Sequence, residues 1–225
     1  KRLKEKGYFD DANKKKIPFL PSRIGVITSP TGSVIHDIIN RVSNRFKTHI
    51  DLWPVAVQGT EAAKNIIEAI NQFNNIIENK PDVIIIARGG GSTEDLMAFN
   101  DEKLAEAVSL SVIPIISAIG HETDTTIIDF VSDLRASTPT AAAEFVVPVK
   151  SDLTNTVKNF DQRMIFGMDN IFKDIETFRI KLLDNKQWGS NNINDVRIDF
   201  LNNTQIFLDE IKNHNNFKTR YDNLI

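Results

Sequence analysis

The sequence predicts an α/β protein: an open, mostly parallel sheet with helices on both faces, followed by a long helical coiled-coil extension. Three features support this class. Short β-branched runs alternate with stretches of helical apolar period between residues 22 and 148. The central run, Val83-Ile84-Ile85-Ile86, is apolar on every side, as a strand covered on both faces must be. Beyond Pro148 the apolar residues recur at spacings of three and four over thirty positions, Leu153 to Leu182.

In chain order, residues 1–21 are polar and helix-prone, broken at Gly7 and turned by Pro18 and Pro21, and read as a linker from an upstream domain. Arg23 to Thr28 is the first buried strand. Ser29-Pro30-Thr31-Gly32-Ser33 turns it into a helix whose apolar stripe is Val34, Ile35, Ile38, Ile39 and Val42, with His36, Asp37 and Arg41 off the stripe. Thr48 to Val57 gives a second strand, and Gly59-Thr60-Glu61 opens a helix through Ile66, Ile67, Ile70 and Phe73. The Val83 strand is followed by a glycine turn and a helix through Leu104, Ala107 and Val108. A fourth strand is expected at Val112–Ile116, and a further helix near Thr140, with Thr138 as N-cap and Pro139 at N1. Four βα repeats give a Rossmann-like sheet. Leu153, Val157, Phe160, Met164, Met168, Ile171, Ile175, Phe178 and Leu182 then form one seam, interrupted at Trp188 to Asn192, and Val196, Phe200, Phe207, Ile211 and Phe217 read as a returning helix. An antiparallel coiled-coil arm is expected.

Composition narrows the function classes. The chain is 41% hydrophobic and 25% charged, with a net charge of −3, so it is not a uniformly basic nucleic-acid binder. Charge is nevertheless segregated: residues 1–23 hold eight Lys or Arg against three Asp or Glu, while acids outnumber bases between Lys80 and Arg135. Cysteine is absent, which excludes disulfides and thiolate metal sites and fits a reducing cytoplasm. No apolar run approaches the roughly 18 residues needed to span a bilayer, so no membrane association is expected.

In an open parallel sheet, ligands collect beyond the C-terminal ends of the strands. That rule selects Thr28–Ser33, the turn near Val57–Thr60, Arg88–Asp95 and Ser117–Thr125. Gly89-Gly90-Gly91-Ser92 can bring backbone N–H groups close to an anion, and Arg88 ahead of them can fork onto phosphate oxygens; an ion pair with Glu94 or Asp95 is its alternative role. Ser29, Thr31, Gly32 and Thr138 are further candidates for phosphate contacts. His121 and Asp124 pair a proton-transfer group with a carboxylate that can hold one tautomer, and on a helical first turn they would face the same side. Asp37 lies on a helix starting at the same edge, with His36 as its rival. A metal site built from Asp37, His121, Glu122 and Asp124 would lack the ligand spacing of any particular ion. A non-enzymatic phosphate- or nucleotide-binding module with a partner-docking arm would need the glycine turns but not the proton-transfer pair.

These segments together resemble the large subunit of bacterial exodeoxyribonuclease VII, from about Arg23 to Pro148. The resemblance rests on Ile27-Thr28-Ser29-Pro30-Thr31-Gly32 with His36-Asp37-Ile38; on Arg88-Gly89-Gly90-Gly91-Ser92 with Glu94-Asp95-Leu96 and Phe99-Asn100-Asp101-Glu102; on Gly120-His121-Glu122-Thr123-Asp124; and on Asp133-Leu134-Arg135-Ala136 with Thr138-Pro139 and Ala141-Ala142-Ala143-Glu144. It implies a cytoplasmic nuclease that degrades single-stranded DNA from either end to short oligonucleotides, with several copies of a small helical subunit on the coiled-coil arm and an upstream OB-fold domain. It implies Asp37, Arg88, His121 and Asp124 as the catalytic positions, and a reaction that requires no metal cofactor while leaving room for stimulation by Mg²⁺. On this reading residues 1–21 are the linker, 22–148 the α/β catalytic domain and 149–225 the arm.

Overall fold

The computed structural model describes residues 2–90, 93–120 and 124–184, together with Asn202 and Ile206. After a short helix α1 (Arg2–Glu5), the alternation is β1 (Arg23–Thr28), α2 (Ser33–Arg45), β2 (His49–Pro54), α3 (Ala62–Asn75), β3 (Val83–Arg88), a 3-10 helix (Thr93–Asn100), α4 (Glu102–Leu110), β4 (Ile115–Ile119), α5 (Ile127–Val131), β5 (Leu134–Arg135), α6 (Pro139–Val146) and α7 (Lys150–Asp184). All strand pairs are parallel, in the order β2-β1-β3-β4-β5.

The α/β class is as expected, and the reason is visible in β3, where every residue from Val83 to Arg88 is buried. Ile24, Val26, Val83, Ile85, Ile116 and Ala118 face α2 and α6 on one side of the sheet. Ile27, Ile84, Ile86, Ile115 and Ile119 face α3, α4 and α5 on the other. A side chain at Gly25 would crowd the Phe73 ring, its Cβ lying 3.2 Å from two ring carbons, so α3 can sit close on β1 because that position is glycine. Arg45 ties α2 to α6 by donating from Nε to the Val147 carbonyl at 3.1 Å.

The structure departs from the expected elements at two places. Strand β4 begins at Ile115 and not Val112, because Pro114 has no N–H and the Asn74 side chain takes the amides of Val112 and Ile113 at 2.9 and 3.2 Å, holding them in a turn. Between Ile119 and α6, where only a crossing was expected, lie the five-residue α5 and the two-residue β5. Helix α5 is too short to show an apolar period and is held by a capping box, Thr126 with Asp129.

The N-terminal segment lies against the core. Leu3 is buried with the α3–α5 cluster, the Tyr8 hydroxyl donates to Glu106 at 3.0 Å, and Lys15 donates from its backbone N to buried Asp133 at 2.6 Å. The same Asp133 carboxylate accepts the Ile115 N–H at 2.7 Å, so one side chain fastens both the segment and the start of β4.

Lys1–Asp152 and Leu153–Ile225 are separate compact units. Helix α7 has 35 residues, about 52 Å at 1.5 Å per residue. Of the seam read from the sequence, Leu153, Val157, Ile171 and Phe178 are half-buried, while Phe160, Met164, Met168 and Ile175 are exposed, as are Ile165, Phe166 and Phe172 off it. The expected break at Trp188–Asn192 lies outside the described residues, as does the returning helix apart from Asn202 and Ile206, both helical.

Candidate functional site

The strand order 2-1-3-4-5 reverses direction between β1 and β3, and a crevice opens beyond the C-terminal ends of strands at such a reversal. The two strand ends are tied together there. Buried Thr28 donates its hydroxyl to the Ala87 carbonyl at 2.8 Å, one step beyond the last paired residues, Ile27 and Ile86. From this point β1 runs into Ser29–Gly32, whose Ser29 and Thr31 hydroxyl oxygens are 3.4 Å apart. Gly32 occupies the N-cap of α2, so the first-turn N–H groups have no side-chain cap from that position.

Arg88 ends β3 and is only 5% exposed. Its Nη2 pairs with Asp95 Oδ2 at 3.1 Å and makes a long 3.5 Å contact to Gln58 Oε1, while Nη1 is buried with no hydrogen-bond partner among the described residues. A buried donor left unmade costs about 1–3 kcal/mol, so this guanidinium is anchored on one side and poised to donate on the other. Of the two roles considered for Arg88, the ion pair forms, with Asp95 and through Nη2 alone. Gly89 follows and touches α2, since a Cβ there would lie 3.2 Å from Val34 Cγ2. Gly90 is exposed, and Gly91 and Ser92 lie outside the described residues.

Strand β4 delivers the third segment. Gly120 donates its N–H to the Arg88 carbonyl at 3.2 Å and turns the chain with φ +66°, a conformation glycine takes without steric cost. Asp124 folds back over it, with its Oδ2 2.6 Å from where a Cβ on residue 120 would stand. Asp124 is in irregular chain three residues ahead of α5, so the helical first turn expected for His121 and Asp124 is not what places its carboxylate. His121 lies outside the described residues.

Asp37 is exposed on the second turn of α2, the helix that Gly89 touches. Neighbouring His36 is also exposed. Thr138 caps α6 as expected, accepting the Ala141 N–H at 3.0 Å, with Pro139 at the first helical position. Thr138 follows β5 at the same end of the sheet, and its hydroxyl proton remains able to donate.

Three participants lie in segments the sequence selected, but their roles were not legible there. Gln58 stands in the Val57–Thr60 turn after β2, with nothing to single out its side chain. Asp95 was legible only as the alternative partner of Arg88, and a cavity of about 380 Å³ that it lines with Gly59, Thr60, Glu94 and Met97 had no sequence signal. Arg135, on β5, donates from Nη2 to the Asp124 carbonyl at 3.0 Å, a bond across eleven residues that only the sheet creates. Among the described residues no three His, Asp or Glu side chains converge as a metal site, and no helix is long and apolar enough to cross a membrane.

A family model described as exonuclease VII, large subunit, matches residues 8–221. The chain belongs to this family. Among curated relatives, the exodeoxyribonuclease 7 large subunit of Anaplasma marginale (strain Florida) is 59% identical over 157 residues, 70% of this chain and 39% of that protein. That of Rickettsia bellii is 54% identical over 176 residues, 78% of this chain and 40% of the relative. That of Bartonella quintana is 52% identical, covering 76% of this chain and 37% of the relative. The chain thus spans about two fifths of the length of these relatives.

Proposed function

We propose that residues 22–148 are the hydrolytic domain of a single-strand-specific exodeoxyribonuclease, which cleaves DNA phosphodiester bonds from either end to short oligonucleotides. The observation that carries this reading is the buried Arg88 guanidinium, held by Asp95 with Nη1 unpartnered among the described residues, at the reversal of the sheet. In hydrolysis a water oxygen adds to phosphorus and an ester P–O bond breaks; the water gives up a proton and the departing oxygen gains one. Arg88 takes two phosphate oxygens as negative charge builds, and the glycine turn and the open start of α2 supply N–H groups. His121 performs one of the two proton transfers, Asp124 orients it, and Asp37 completes the polar set. Ser29, Thr31, Gly32, Gly89, Gly90, Gly91, Ser92 and Thr138 contact the DNA backbone.

Chemistry of this kind needs no resident metal, and excess chelator is expected to leave substantial activity; complete loss restored by Mg²⁺ would recast Asp37 and Asp124 as ligands. The test of the reading itself is labelled single-stranded DNA incubated with the complete subunit in its assembled complex. His121→Ala and Asp124→Ala are each expected to abolish cleavage, with the double variant little worse than either, since such pairs act as a unit. A correctly folded His121→Ala enzyme of near-normal activity would remove the assignment.

The arm, residues 149–225, is proposed as an antiparallel coiled coil that docks several copies of a small helical partner subunit, and the enzyme as a cytoplasmic one serving DNA catabolism and repair. The apolar length of α7 supports the docking reading, because Phe160 and Ile175 on its seam are both exposed in this chain. Polar substitutions there are expected to weaken co-purification of the partner, and unchanged assembly would give the arm another role.

A further inference from the structure

We infer that Arg135 is a positioning residue for Asp124, acting from the edge strand through the main chain of the Gly120–Thr126 loop. The inference rests on the proposed role of Asp124. Seven residues separate the end of β4 at Ile119 from the start of α5 at Ile127. The two ends of this loop are fixed independently of Asp124: Gly120 N–H bonds the Arg88 carbonyl at 3.2 Å, and Ile127 N–H bonds Asn100 Oδ1 at 2.9 Å. Between them the chain has to hold one carboxylate in place. Arg135 does this by donating from Nη2 to the Asp124 carbonyl at 3.0 Å.

The strand that carries Arg135 is itself set by the sheet, because Arg135 pairs with Ser117 in the β4 ladder and the Ala136 N–H bonds the Ser117 carbonyl at 2.8 Å. The guanidinium therefore starts from a strand in register with β4 and reaches the loop that leaves the same strand. With the Asp124 carbonyl held, its carboxylate lies over Gly120, beside the amide that bonds Arg88. A Cβ at position 120 would stand 2.6 Å from Asp124 Oδ2 and 2.8 Å from its Cβ, so the room for this placement exists only because residue 120 is glycine. Arg135 and Gly120 thus act on the same residue, one by a hydrogen bond to its main-chain carbonyl and one by leaving space for its carboxylate. A guanidinium used this way acts on the chemical step and not on substrate capture, which separates it from a cation that grips DNA phosphates.

The experiment measures kcat and KM on single-stranded DNA for the assembled enzyme carrying Arg135→Ala, Arg135→Lys, Gly120→Ala, Asp124→Asn, or Arg135→Ala with Asp124→Asn, alongside melting temperatures. Arg135→Ala is expected to lower kcat by about tenfold or more while KM stays within about twofold, and Arg135→Lys, which can still donate, to recover part of the loss. Gly120→Ala, which displaces the carboxylate without touching Arg135, is expected to show the same split. The double variant should be no slower than Asp124→Asn, because a residue acting only through Asp124 adds nothing once that carboxylate is gone. If Arg135→Ala does not fold, Arg135→Lys and Gly120→Ala decide. The inference is overturned by parental kinetics in Arg135→Ala, by a KM rise at unchanged kcat, or by losses that multiply in the double variant. Parental activity in Asp124→Asn would instead remove the proposed role of Asp124 itself, an outcome distinguishable from failure at Arg135 alone.

Discussion

Two arginines bracket the sheet, and their surroundings differ in a way that separates structure from function. Arg23 opens β1 at the N-terminal edge, and its Nη1 reaches both oxygens of Asp51 on the neighbouring β2 at 3.0 and 2.8 Å. His49 adds a 3.0 Å contact to the same carboxylate, and the Arg23 and Asp51 side chains are 27% and 31% exposed. Water can complete what the protein leaves unmade. Arg88 closes β3 at the opposite edge, buried, paired through one nitrogen to an Asp95 side chain that is 40% exposed, with Nη1 unpartnered among the described residues. A charge matched at a wet edge contributes to stability, whereas a cation buried with part of its fork unmade is costly to the fold. The strand ends where ligands collect hold the second kind.

The largest expected effect that sharpens this contrast is at Arg88. Arg88→Lys keeps the charge and loses the planar fork, so turnover is expected to fall at least about tenfold, or 1.4 kcal/mol of barrier, with single-stranded DNA binding much less changed. Equal losses in binding and turnover would mean that Arg88 holds substrate without favouring its transition state, and parental cleavage would show that charge alone suffices. Arg88→Met carries the same contrast into stability. Removing an under-satisfied buried cation is expected to leave the melting temperature unchanged or raise it while abolishing cleavage, and a steep fall in melting temperature would make Arg88 a structural residue.

At the other edge the signs reverse. Arg23→Ala is expected to leave turnover within about twofold and to cost on the order of 1 kcal/mol in denaturant unfolding, the scale of a half-exposed ion pair. A large loss of activity at unchanged stability would break the division between the two edges.

The smallest effect concerns the N-terminal segment on α4. Glu106 is held below the usual carboxylate range by the Tyr8 hydroxyl bond first and by Lys6 second, and Tyr8 and Lys6 are raised above their ordinary values chiefly by their bonds to Glu106. A depressed carboxylate contributes stability above its unfolded pKa and loses it as pH falls through its folded pKa; the raised phenol and ammonium contribute below their unfolded values and lose it as pH rises through their folded ones. Anchoring of the segment is therefore expected to hold across neutral pH and to loosen at both the acid and the alkaline extremes. Proteolysis between Gly7 and Lys16 as a function of pH reads this, and Glu106→Gln should flatten the acid side; an unaltered acid limb in that variant would place the sensitive group elsewhere.

By itself the sequence determined the α/β class and the helical state of α7, because runs such as Val83–Ile86 admit burial on both faces and spacings of three and four have the helical period. It also placed Ser29–Gly32, Arg88–Gly90, Asp124 and Thr138 at strand ends, since in a parallel sheet the residue after each strand falls on one edge. Local chemistry was enough for Thr138 and Pro139, whose cap needs only neighbours. Strand order was beyond it: β1 lies between β2 and β3, and that choice, made by the packing of α2 with α6 and of α3 with α4, puts the Ser29 turn beside Arg88. Tertiary structure alone decided that Asp95 claims one nitrogen of Arg88 and leaves another unpartnered among the described residues, and that Arg135 on a two-residue strand reaches back eleven residues to the Asp124 carbonyl. Those contacts join segments whose distance in sequence carries no period, so only the closing of the sheet brings them within hydrogen-bond reach.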